Sequence, residues 1–424
     1  MEWLGTTARP HPLTRWRPAV ALLVGRRLRP TGVRRGRNGD GLSGRRRARG
    51  RRPLGVHPGS PAPYRTRVLV RRPAKAADFS GTVVVEWLNV SGGVDADVEW
   101  GAFREEILRQ GHAWVGVSAQ RIGVVGGPVL VPVTEGASLA GRGLVAIDPA
   151  RYGSLRHPGD GFSFDILTQV GRAVRAGTGL GGPRPRAFDG FFVHSRGASG
   201  LPLVGPEEHA DLIKALGGTP TVFRTDQDAP VLDVQTESDL TGLLSSHRAR
   251  QPDNARLRLW EVAGTAHVDT RLLGAAAARI DCGVPINSGP LHLVAKAGLR
   301  ALAAWATTGT PPATAPRIEV TADGEPSVQR DADRIAVGGV RTPPVEIPVT
   351  VLSGEAGPTP SAICQLAGSN RPLPAGRLAE RYPSRNEYQK RYNEATESAV
   401  SSGFLLSEDR PAMLAMADSS LIVA

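Results

Sequence analysis

The chain has 424 residues, 40% of them hydrophobic, enough to bury a sizeable core as one large α/β domain or two ordinary ones. Its formal charge of +12 suggests a nucleic-acid binder until the charge is located. Residues 1–60 hold fifteen Arg against two acids, whereas the remainder carries 37 basic and 38 acidic groups, which excludes a basic fold.

In chain order, the first 60 residues read as an Arg/Gly/Pro-rich arm (GRRLRP, VRRGRNG, GRRRARGRRP) with neither helical nor strand period, and disorder is the expectation. Its guanidinium groups could pair with phosphates, making the arm the one place for nucleic acid, although no aromatic is interleaved for stacking. Arg outnumbers Lys by 48 to 4 in the whole chain, pointing to GC-rich coding DNA, and out-of-frame reading of such DNA gives similar text. Pro18–Gly25 (PAVALLVG) is too short, and too soon followed by Arg26 and Arg27, for a signal peptide. No apolar run is long enough to span a membrane.

From residue 61 onward the text alternates. Tyr64–Arg71 alternates as a half-buried strand, and Gly81–Val90 (GTVVVEWLNV) is the β-branched run of a buried one, broken at Ser91-Gly92-Gly93. Trp100–Gln110 has helical spacing, Ala113–Ser118 is a strand, and Phe164–Ala176 sets Phe164, Leu167, Val170 and Val174 on one helical face. Phe188–His194 is a further strand. Ala229–Leu240 (APVLDVQTESDL) and Arg256–Asp269 (RLRLWEVAGTAHVD) each contain an apolar run that stops at a residue suited to proton chemistry. Ala295–Thr307 is a helix closed by Gly309 and Pro311. Alternation of this kind predicts an α/β fold with a mostly parallel, doubly wound sheet and helices on both faces, its functional loops at the strands' carboxyl ends.

The chemistry follows from that placement. A carboxylate (Asp239, or Glu237 as the alternative acid) after one strand and His267 after the next match the last two members of a nucleophile–acid–His triad. The nucleophile is the difficulty, because G-x-S-x-G occurs nowhere in the chain. Ser195, in Val193-His194-Ser195-Arg196-Gly197, keeps the triad order, but Val193 stands where the sharp elbow turn wants Gly. Asp233, inside an apolar run, needs a partner or a sheet edge. His112, His194, His209 and His292 show no recurring spacing, and H-E-x-x-H and P-loop motifs are absent, so no metal or other cofactor is expected. Cys282 and Cys364 are too far apart for a metal-site spacing; they read as two buried reduced thiols or, in an exported protein, as a long-range disulfide. A cytoplasmic location is the default expectation and export the alternative.

The segments EWLNVSGG, VHSRG, VQTESDL, LWEVAGTAH, PINSGP, GGVRTPPVEIPV and SGFLL resemble the bacterial alpha/beta hydrolase domain family, a set of esterase-like proteins. The resemblance runs from about residue 61 to the C-terminus and makes residues 311–424 a family extension of the 61–424 domain. It implies a carboxylic ester hydrolase with Ser-His-Asp chemistry, a small ester-like substrate, and an oxyanion loop at Asn89 and Val90. It also implies a strand, a G-E-S-Q-S-like elbow and a helix between the Phe164–Ala176 helix and VHSRG. Such a unit needs on the order of 25–30 residues. Gly177 and Phe188 are separated by ten. The elbow therefore reads as deleted, and the triad as impaired. A non-catalytic homologue or binding scaffold is the alternative.

Overall fold

The computed structural model describes residues 61–131, 139–177, 186–224, 226–321 and 324–422, together with the backbone alone of four strands before residue 60. The strands and helices that frame the site are, in chain order, β1 (Glu2–Thr7), β2 (Trp16–Leu28), β3 (Ala62–Pro73), β4 (Val83–Trp87), α1 (Val98–Arg109), β5 (Ala113–Val117), α2 (Ser163–Gly177), β6 (Phe191–His194), β7 (Val231–Thr236), β8 (Leu257–Val262) and α3 (Leu291–Thr308). In the extension follow β9 (Thr350–Ser353), β10 (Ser369–Pro372) and α4 (Arg385–Ser401).

The fold is α/β, but its main sheet comes in two parts. One has the order β1-β2-β3-β5-β4 and the other the order β8-β7-β6, and among the described residues no hydrogen-bonded neighbour joins β4 to β6. β4 and β5 are parallel, as are β6, β7 and β8, whereas β3 joins β5 antiparallel. Alternating side chains of β4 sort the faces. Val83 and Val85 pack with Leu167 and Val174 of α2, while Val84 packs with Phe103 of α1 and Leu299 of α3 on the other side. Every residue of β5 and of β7 is buried; in β4 and β6 only Glu86 is, and Phe191 is exposed. Strands buried on both faces read as continuous apolar runs, which is why β5, β7 and β8 were legible.

Two expectations change. The backbone of Trp16–Leu28 pairs antiparallel with β3, so this stretch is a strand and not part of a structureless arm; its apolar run AVALLV carries the β-branched residues that suit one. The Arg clusters between residues 34 and 52 lie outside the described residues. Cys282 and Cys364 are disulfide-bonded, with Cα atoms 5.3 Å apart, and so are not reduced thiols. The bridge sits in a buried cluster with Val268 and Ile286. The extension shares cores with the rest: Tyr382, Tyr388 and Tyr392 cluster with Leu240 and Ala263, and Leu293 of α3 packs with Ala399 and Met413. Among the described residues, no helix is long and apolar enough to cross a membrane.

Candidate active site

β7 stops at Thr236 because the next three residues wind into a tight turn, Glu237–Asp239. Thr236 caps that turn, and the Asp239 carboxylate reaches back to close it, its Oδ2 accepting from the Thr236 N–H at 2.7 Å. The other carboxylate oxygen, Oδ1, lies 2.8 Å from Nδ1 of His267. Asp239 is wholly buried, while the imidazole keeps a quarter of its side chain exposed. A buried carboxylate behind a part-exposed ring fixes the ring's orientation and leaves Nε2 to do chemistry. Burial pushes the Asp239 carboxyl up, but the charge and hydrogen bond of His267 and the bonds from Thr236 outweigh it and hold the group below the usual carboxylate range.

His267 is placed by a turn that strongly favours glycine. After β8, Gly264 takes φ +68°, and a Cβ there would lie 2.5 Å from Val345. The His267 N–H donates to Ser238 Oγ at 2.8 Å, tying the imidazole's backbone to the acid's own turn. Asn287, fully buried, braces the same loop: its Nδ2 donates to the Gly264 and Ser353 carbonyls, and its Oδ1 accepts from the Gly289 N–H. Asn287 belongs to the PINSGP segment, and sequence reasoning assigned it no role; an asparagine between two helix-breaking residues was the only signal.

Glu237, the alternative acid, faces elsewhere. Its Oε1 accepts from Arg330 at 2.6 Å and from the Gly354 N–H at 2.9 Å, and its Oε2 from the Gly264 N–H at 2.8 Å. It is a buried structural anion with no bond to His267. Ser195 follows β6 with φ +49°, a left-handed conformation rare outside glycine and asparagine. Its N–H donates to the Val234 carbonyl, but its Oγ is buried and makes no hydrogen bond, so it is not engaged with His267. Beside it, His194 donates through Nδ1 to the Glu99 carboxylate at 3.1 Å. Burial lowers the His194 pKa, but Glu99, Asp239 and Asp269 together raise it above the ordinary value. Asn89 cannot serve an oxyanion through its backbone, because its N–H donates to Ala96 and its Oδ1 accepts from the Ser91 N–H. Val90 is buried, with its carbonyl accepting from Gly93. Asp233 has the partner its burial demands, Arg196 Nε at 3.0 Å.

The chain matches the alpha/beta hydrolase domain family over residues 41–187 and again over 182–415, two stretches that meet between α2 and β6, and it belongs to that family. No curated protein and no solved structure matches it.

Proposed function

We propose that this protein is built as a carboxylic ester hydrolase whose base and orienting acid are in place and whose nucleophilic hydroxyl is not delivered. One observation carries this reading: the 2.8 Å contact between His267 Nδ1 and the buried Asp239, at the carboxyl ends of adjacent parallel strands. In an ester hydrolase such a pair removes a proton from a hydroxyl and returns it to the leaving group. The unengaged Ser195 Oγ and the break between β4 and β6 support loss of the nucleophile strand. Loss of the elbow would also remove the oxyanion donor that follows a nucleophile, leaving Val90 as the remaining backbone candidate.

The test is hydrolysis of p-nitrophenyl acetate by the full chain and by His267→Ala, Asp239→Asn and Ser195→Ala. Turnover near the uncatalysed rate and unmoved by any of the three is the expected result. Strong turnover that falls by about 10³-fold or more in both His267→Ala and Ser195→Ala makes Ser195 a working nucleophile and overturns the impaired reading. Strong turnover indifferent to His267→Ala overturns the site altogether. The second reading, a binding scaffold, is favoured by the cavity between the two sheets.

A further inference from the structure

Between β4 and β6 lies a cavity of about 730 Å³, lined along its length by both strands. Among the described residues each of them is hydrogen-bonded on one side only, β4 to β5 and β6 to β7. The register tells which backbone groups face the cavity. The Ala113 N–H donates to the Thr82 carbonyl and the Leu88 N–H to the Val117 carbonyl, so residues 82, 84, 86 and 88 turn their backbone to β5. In a parallel strand successive residues bond to opposite sides, which leaves the groups of Val83, Val85 and Trp87 toward the cavity. Likewise Phe191 N–H donates to Pro230 and Ser195 N–H to Val234, leaving Phe192 and His194. The cavity is thus bordered by two rows of main-chain donors and acceptors without partners in their own sheets.

Its other two walls are mostly apolar, the polar exceptions including Glu99 and the Arg175–Asp189 ion pair. Leu167 and Val174 of α2 close one face, and Phe103, Leu299 and Leu302 close the other. At the carboxyl end Glu99 holds His194, whose second ring nitrogen, Nε2, is buried and unpartnered; the side chain is 9% exposed. Backbone groups that a guest takes away from water require partners from that guest. An aliphatic chain would satisfy the walls and leave both rows unbonded. An extended polypeptide satisfies all four sides at once, because its own donors and acceptors alternate left and right at the strand repeat while its side chains alternate up and down. With apolar cover on both faces, that segment must be apolar on both faces too.

We propose that this slot binds an extended segment of a second, different polypeptide, about five residues long and rich in Val, Ile, Leu or Phe, which lies parallel to β4 and β6 and joins the two sheets into one. The proposal does not depend on ester hydrolysis. It is tested on the full chain by titrating a synthetic peptide, VVVIV with a C-terminal Lys-Lys tail, while following Trp87 fluorescence and the amide resonances of Val85 and His194. Saturable one-to-one binding is expected, with amide shifts confined to the two facing strands. Methylating alternate peptide nitrogens should weaken binding by at least tenfold, and Ala303→Trp, which fills the slot from α3, should do the same. If Ala303→Trp fails to fold, the methylated peptide on the unaltered protein decides alone. Absence of saturable binding, equal affinity for the methylated peptide, or displacement of the peptide by decanoic acid overturns the proposal, the last by making the slot an apolar ligand pocket. A peptide-free dimer whose Val85 and His194 amides are protected from exchange gives the slot to a second copy of this chain and overturns it equally.

Discussion

The carboxyl ends of β7 and β8 and the space between β4 and β6 are two ends of one sheet plan in opposite conditions. At the first, strands are buried on both sides, Asp239 and His267 are bonded, Arg330 satisfies Glu237, and Asn287 braces the Gly264 carbonyl. At the second, two strands of the same parallel type keep one hydrogen-bonded edge each and partly exposed side chains. The difference lies in what each region needs. The acid–base pair depends on two turns and the brace around them. A central strand depends on neighbours on both sides, and nothing local to β4 or β6 can replace it.

Four measurements sharpen or break this comparison. The built end is tied by the Cys282–Cys364 bridge, which closes 82 residues of chain. Replacing both cysteines by Ala should cost about 4 kcal/mol in urea unfolding if the entropic account of cross-links holds here; a loss under about 1 kcal/mol would mean that the surrounding apolar cluster holds that end unaided. Arg196 links the two regions, leaving β6 to pair with Asp233 inside β7. Arg196→Met strands a buried carboxylate and should destabilise by about 3 kcal/mol, read from the denaturation midpoint. Hydrogen exchange should resolve the slot residue by residue: the amides of Val83, Val85 and Phe192 should exchange on the order of 10²-fold faster than those of Val231–Thr236. Uniform protection across both would abolish the contrast.

The smallest effect concerns pH. The Asp239 carboxyl is held below its ordinary pKa, so its contribution is complete above about pH 4, where the unfolded carboxylate has ionised, and is lost as pH falls through the lower folded value. The unaltered protein should therefore lose more stability between pH 4 and pH 2 than Asp239→Asn does, measured by urea midpoints across that range. Parallel curves would show that the pair carries no linked proton.

Much of this was legible before any coordinates. Strands β5, β7 and β8 announced themselves as apolar runs, and α2 and α3 by their spacing, because local period and burial agree there. His267 and Asp239, which the structure brings within hydrogen-bond distance, could be singled out as candidates because parallel strands present loop residues at their carboxyl ends. Asp239 was preferred as the acid with Glu237 kept as the alternative; what claims Glu237 is Arg330, 93 residues on, which no local pattern shows. The same distance in sequence hid the disulfide and the Asn287 brace. The need of Asp233 for a partner was evident, but its identity as Arg196 was not. In β2 an apolar stretch had been overshadowed by the arginines around it.

One carboxylate, that of Asp239, both fastens the turn after β7 and aims the imidazole. Folding and aim are thereby inherited together: any descendant that keeps this turn for its stability keeps a poised histidine as a by-product. The persistence of such a pair in a relative is then a record of architecture as much as of use.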